Sequence, residues 1–328
     1  MDLIRLAELG MVPDWFIRAG IRYLLARRRK VERRSHGQAN LLDRFVADLR
    51  ASPLAVATES ANQQHYEVSA NFFAQILGPR LKYSACHFSQ PDSTLAEAEE
   101  EMLATTCERA QIADGMRILD LGCGWGSLAL WVAERYPSCS VTAVSNSHSQ
   151  REFLESRARS QGLQNLTVIT SDMREFTTDV QFDRILSVEM FEHMRNYELL
   201  FRRVSEWLCP RGKVFIHIFC HRRTPYLFDT EGAANWMGRH FFSGGMMPSE
   251  QLFSYFSQDL AIEQQWRVGG LHYWRTCEAW LANLDNHWRD AMDALSTNTS
   301  ANDAKVQLQR WRMFFMACAE LFRDSSGT

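Results

Sequence analysis

Apolar and polar positions follow two different rhythms along this chain, and the change falls near residue 116. In residues 1–50 apolar side chains recur at helical spacing, and residues 51–115 predict further helices broken at Gly78-Pro79 and around Pro91. From residue 116 short apolar runs alternate with amphipathic ones. The runs predict strands over Arg117–Asp120, Ser140–Ser145, Leu166–Thr170, Phe182–Val188, Lys213–Phe219 and Ala261–Val268. Helices between them include Ser127–Arg135 and Ser149–Ser160. This alternation predicts an α/β fold, a Rossmann-like and mostly parallel sheet with helices on both faces and ligands at the strands' C-terminal edge. Residues 221–260 are too long for a simple connection; their many aromatics and the Gly244-Gly245 pair suit a lid over that edge. The chain thus divides into a helical N-terminal cap (1–115), a ligand-binding core (116–220), a lid insertion (221–260), and a last strand with C-terminal helices (261–328).

Composition narrows the function classes. With 328 residues and 46% apolar content the chain can bury a large core. A net charge of −3 argues against a nucleic-acid-binding surface, which reads as strongly basic. The eight cysteines form no C-x-x-C pair, so reduced thiols in a cytoplasmic protein are expected, with no metal site. No signal peptide or membrane-spanning run is apparent. The one charged feature is a basic run, Arg27–Lys30 and Arg33-Arg34; as a solvated helix face it needs no partner, but it could touch an acidic membrane surface.

The chemistry gathers at Met116–Ser127, MRILDLGCGWGS, a strand running into Asp120, a glycine-dense turn and a helix start. Gly122, Gly124 and Gly126 let backbone N–H groups and the helix N-terminus approach a ligand closely. A dinucleotide site favours G-x-G-x-x-G, whereas D-x-G-x-G-x-G sets an acid two residues before the first glycine. The second strand ends in Ser145, with Gln150 beyond it; Ser147-x-x-Gln150 reads as a capping box, as a ribose contact from Ser145 and Gln150, or as both. Asp172 and Met173 follow the third strand, placed to bind and cover an adenine ring, although Asp172 also suits a turn or N-cap. After the fourth strand, Glu189, Glu192 and His193 at i, i+3 and i+4 share a face if a helical turn forms. Each histidine has a plainer reading: His193 as a helix-start residue bonded to Glu189, His217 as a core residue of a buried strand. Tyr273 could simply pack on Trp280, and Tyr226, Phe228, Trp236, Phe241 and Phe242 could line a box for a cationic or aromatic substrate.

The glycine turn resembles the first motif of S-adenosylmethionine (SAM) methyltransferases. Taken with His65–Phe72, Tyr83–Phe88, Ser187–Tyr197, Phe215–His221, Phe241–Ser249 and Leu271–Trp280, in that order, it resembles the cyclopropane-fatty-acid synthase superfamily over roughly residues 60–325. Within it the match is to the coclaurine N-methyltransferase branch. The resemblance implies SAM as cofactor, held by Tyr83, Ser84, Gly122, Gly124, Ser145, Gln150, Asp172 and Met173, with Asp120 near the donor's methionine moiety. It puts Glu189, Glu192, His193, His217 and Tyr273 on the substrate side. Cyclopropane synthases have Y-S-C where this chain has Tyr83-Ser84-Ala85 with Cys86 displaced, and a small residue where Glu189 stands. An added carboxylate suits a small amine better than a buried alkene. Glu192 and His193 are then the expected base system, Glu189 an electrostatic aid, and His217 and Tyr273 the pocket walls. A synthase acting on lipid chains is the alternative, and a non-catalytic SAM- or lipid-binding protein a weaker one. An aromatic-rich final strand follows the A-C-A-E-L-F segment in such proteins; its lack here implies a shortened chain or a sheet with one strand fewer.

Overall fold

The computed structural model describes residues 3–35, 41–56, 68–232, 235–297 and 299–323, with side chains omitted for 31–35. His65–Glu67 of the first matching segment, the Arg33-Arg34 side chains and the last five residues lie outside this set. Among the described residues no helix is long and apolar enough to cross a membrane.

The N-terminal part forms α1 (Leu3–Glu8), α2 (Asp14–Ser35), α3 (Leu41–Ala51), α4 (Ala70–Ile76) and α5 (Leu95–Arg109). Helix α5 starts at Thr94, whose hydroxyl accepts from the Glu97 N–H while the Glu97 carboxylate accepts from the Thr94 N–H, a reciprocal cap. The core then alternates as the pattern predicts: β1 (Arg117–Leu121), α6 (Ser127–Arg135), β2 (Ser140–Ser145), α7 (His148–Ser160), β3 (Leu166–Thr170), β4 (Phe182–Val188), α8 (Tyr197–Glu206) and β5 (Leu208–His217). The sheet order is β3-β2-β1-β4-β5, with every pair parallel. β1 lies at its centre, and Ile118, Leu119 and Leu121 are wholly buried because helices cover both faces. The order reverses between β1 and β4, which opens a crevice at the carboxyl ends of these strands.

The 221–260 segment folds as a short hairpin, β6 (Tyr226–Leu227) with β7 (Met246–Met247), around α9 (Trp236–His240). Helices α10 (Gly270–Asn286), α11 (Trp288–Ser296) and α12 (Ala301–Arg323) close the chain. They pack on α4 through Phe72, Phe73, Trp280, Trp311 and Phe315, so the cap over the sheet edge is built from both ends of the sequence. Arg18 of α2 fastens the two ends, donating to Glu278 at 2.7 and 2.8 Å and to Glu320 at 3.1 Å.

One expected strand is absent. Residues 261–268 run as exposed coil beside β5, joined to it by the Lys213–Glu263 ion pair and the Phe215–Trp266 ring contact. A strand exists only through hydrogen bonds to a neighbour, and here a cavity of about 930 Å3 separates the two backbones. The sheet therefore ends at β5.

Candidate active site

The crevice begins at the glycine turn. Gly122 has φ +79°, and a Cβ there would lie 2.6 Å from the Met190 side chain. Gly124 has φ +53°, and a Cβ there would meet nothing within 4 Å, because this part of the turn borders the open cavity. Two adjoining cavities flank the turn. One is lined by Tyr83, Ser84, Asp120, Gly122, Gly124 and Gln150, the other by Ser145, Gln150, Asp172 and Met173 together with the same two glycines. All nine residues expected to hold the cofactor are thus on these walls, Tyr83 and Ser84 on the loop before α5 and the others at or just beyond the ends of β1, β2 and β3.

The polar inventory fits a nucleoside sulfonium. Among the described residues Asp120 is buried with Oδ2 unpartnered, and burial lifts its pKa to about 7 against the opposing Ala129 N–H; a bound cation would favour its ionised form. Gln150 Nε2, Ser127 Oγ and Trp125 Nε1 are likewise buried without a partner. Such groups cost free energy unless something accepts from or donates to them. Ser145 Oγ donates to Gln150 Oε1 at 2.6 Å and accepts from the Ser147 N–H, while Ser147 Oγ caps α7 through the Gln150 N–H. Ser145 thus takes over half of the expected capping box, which leaves the Gln150 amide N–H group for a ligand. Asp172 is a turn residue as well as a wall: its carboxylate accepts two hydrogen bonds from the Arg174 guanidinium, at 3.0 and 2.9 Å.

The acid–imidazole group differs from the single helical face expected. Glu189 sits at φ +50°, and only Phe191–His193 form a 3-10 turn, so the three side chains diverge. Glu189 faces the cavity; its Oε1 accepts from the Ala85 N–H at 2.8 Å and its Oε2 from the Tyr273 hydroxyl at 2.6 Å. Burial raises its pKa, and the Lys82 charge opposes that rise. Glu192 is fully buried: Oε1 accepts from the Phe219 N–H at 2.7 Å, and Oε2 has no hydrogen-bond partner among the described residues. Burial, then the charge of Glu189, pushes Glu192 well above the carboxylate range. His193 lines the cavity beside Glu189, stacked at 5.9 Å on Phe242, and burial lowers its pKa to about 4, so at neutral pH it is uncharged. His217 lies on the far side of Glu189, in the groove beside β5, and burial takes it down to about 3. Tyr273 touches both spaces; besides reaching Glu189 it packs edge-on against Trp280 at 6.3 Å.

Of the five lid aromatics expected to form a box, Phe242 reaches the cavity. Phe228 stacks on it at 4.8 Å, Phe241 stacks on Phe314, Trp236 donates to Glu8, and Tyr226 lies under the Arg28 guanidinium. Lys82, Phe314, Cys277 and Cys318 also line the site and carried no signal in the sequence pattern. Their places depend on the loop before α5 and on how α10 and α12 cross.

The profile of the mycolic acid cyclopropane synthetase family matches residues 55–327. The chain is 38% identical to the (S)-coclaurine N-methyltransferase of Thalictrum flavum subsp. glaucum, over 100% of this chain and 92% of that protein. It is 30% identical to the cyclopropane-fatty-acyl-phospholipid synthase of Escherichia coli K12, over 80% of this chain and 64% of that one. Its fold superposes on a crystal structure of coclaurine N-methyltransferase bound to N-methylheliamine and SAH with a TM-score of 0.92, at 36% identity, covering 99% and 95% of the two chains.

Proposed function

Since the chain belongs to the mycolic acid cyclopropane synthetase family, we propose that it moves a methyl group from SAM to the nitrogen of a small, alkaloid-like amine. It is a SAM-dependent methyltransferase. The observation carrying the choice of amine is Glu189, a carboxylate held in the cavity by the Ala85 N–H and the Tyr273 hydroxyl, next to an uncharged imidazole.

SAM, when bound, supplies an already activated methyl group on a positive sulfur, so the protein's work is to orient the partners and exclude water. Gly122, Gly124, Gln150, Asp120, Ser145 and Met173 would hold it along the glycine turn. The acceptor arrives as an ammonium ion, and exposing its lone pair at pH 7 costs about 4 kcal/mol for an amine of pKa near ~10. Glu189 draws the ammonium into the cavity, and Glu189 or His193 takes the proton. We assign Glu192 to a supporting role, since its Oε1 is spent on the Phe219 N–H; its negative charge, when present, would hold a cationic product nearby. Tyr273 fixes Glu189, and Phe242 offers a ring face to a cation. His217 borders the second space behind Glu189, away from the glycine turn.

A lipid substrate is the second reading, favoured by exposed Trp15, Phe16 and Tyr23 on the helix that carries the basic run. The eight free thiols fit a reducing compartment, and we place the protein in the cytoplasm. Incubation with methyl-labelled SAM, a panel of cyclic secondary amines and anionic phospholipid vesicles separates the readings. Label on amine nitrogen is expected; label confined to acyl chains would establish the lipid enzyme instead.

A further inference from the structure

Lys82 is 3% exposed, an unusual burial for a lysine, and among the described residues its ammonium forms no ion pair with a carboxylate. Nζ donates to Ser84 Oγ at 2.5 Å and to the Ala85 carbonyl at 2.7 Å, both neutral acceptors. Its own N–H donates to Glu99 Oε1, and Glu99 also receives the N–H groups of Gly78 and Arg80, so the loop entering the site is fixed from behind. The residue that Nζ holds through its carbonyl, Ala85, is the one whose N–H binds Glu189. A buried ammonium bonded to neutral acceptors is costly unless a negative charge lies near, and two carboxylates lie within the field of Lys82: Glu189 on the cavity side and Glu99 behind the loop, each raised by burial and opposed by that charge.

The groups around Glu189 leave few candidates for that exchange of charge. From α10, Tyr273 and Cys277 are kept protonated by burial, as is Cys86 on the loop. Burial keeps His193 and His217 uncharged, and Glu192 is the acid more strongly pushed toward its protonated form. Lys82 is the remaining cation whose field reaches Glu189 among the described residues.

We propose that Lys82 is a positioning residue for the amine reaction: its buried charge keeps Glu189 ionised before substrate arrives and assigns the proton of the acid pair to Glu192. This rests on the amine reading above. In the step it prepares, an N–H bond of the bound ammonium breaks, the electron pair stays on nitrogen, and the proton passes to the Glu189 carboxylate, directly or by way of His193. No other reactant is needed. Without the cation, burial would favour the protonated form of Glu189 with no positive charge opposing it, a form less able to attract an ammonium or to relieve it of its proton.

Lys82→Gln and Lys82→Met test this. Gln removes the charge and keeps a donor for Ser84 and Ala85; Met removes both. For Lys82→Gln the melting temperature should stay near that of the unaltered protein. The acidic limb of kcat/KM for the amine should move up by about one pH unit or more in both variants, because loss of a neighbouring cation raises a carboxyl pKa. Infrared spectra of the enzyme without substrate provide a readout independent of turnover. Lys82→Gln should gain a protonated-carboxyl band at neutral pH that the further change Glu189→Gln abolishes. An unmoved acidic limb and unchanged spectrum in Lys82→Gln would overturn the proposal. So would a loss of activity in Lys82→Met that Lys82→Gln restores with the original pH profile, since Lys82 would then be only a staple. If no amine is methylated by the unaltered enzyme, the amine reading fails, while the infrared comparison still decides how Lys82 acts on Glu189.

Discussion

At Gly124 the backbone is left-handed and an added Cβ would meet no atom within 4 Å, at the wall of the cavities proposed to hold SAM. Gly124→Val should therefore lower SAM affinity by at least about tenfold through filled space and strain of ~1–2 kcal/mol; titration calorimetry showing unchanged affinity would contradict this. His193 is uncharged down to about pH 4 and so available as a proton acceptor at neutrality. His193→Ala should move the pH–rate profile upward, as the amine must then lose its proton with less help; an unmoved profile assigns that work to Glu189 alone. The clustering of Asp120, Gly122, Gly124, Ser145, Asp172 and Met173 around the cavities at the glycine turn was legible in the sequence, because strand ends and a glycine turn have fixed places in a wound sheet. Lys82 was not, because its effect on Glu189 depends on a loop folding across a separation of 104 residues, from Ala85 to Glu189. The positions of the two acids also differ from expectation: Glu189 has a positive φ and lines the cavity, where helical spacing had placed all three groups on one face.

Among the elements, β1 to β4 follow the apolar runs to within a residue, because a buried parallel strand has to be apolar on both faces, whereas the edge strand β5 begins at Leu208, five residues before the expected Lys213. The run at 261–268 has a similar composition and no strand results. Strand formation is a property of a pair, and no pattern within one segment reveals whether a neighbour stands at hydrogen-bonding distance. Hydrogen exchange should show the contrast: amides of β1, central in the sheet, protected close to the limit of global unfolding, and those of 261–268 exchanging almost freely. Strong protection at 261–268 would mean that the edge of β5 is covered in solution.

For the molecule as a whole, the two chain ends clasp each other above the crevice. Glu8 of α1 accepts from Trp236 Nε1 at 3.0 Å and Arg310 Nε at 2.9 Å, linking α1, α9 and α12. Burial pushes Glu8 upward, but these bonds and one from Arg5 outweigh it and bring the pKa from 4.5 to about 2. A lowered carboxyl pKa stabilises the fold above the unfolded value and loses that contribution as pH falls from 4.5 toward 2. Glu8→Gln should therefore be less stable by about 2 kcal/mol at neutral pH, with the gap in melting temperature closing below pH 4.5. A gap independent of pH would mean that shape, not charge, holds the clasp. The same closure bears on the proposed chemistry, since Tyr83 and Ser84 from the N-terminal side and Tyr273, Trp280 and Phe314 from the C-terminal helices line one cavity with Glu189.

The most direct test of that chemistry pairs two quantities in Glu189→Gln: affinity for SAM and the rate of methyl transfer to an amine. The account predicts SAM affinity within about threefold of the unaltered protein and kcat/KM for the amine lower by roughly 100-fold or more, the usual scale of a lost proton acceptor. Equal losses in both, or unimpaired transfer, would contradict it.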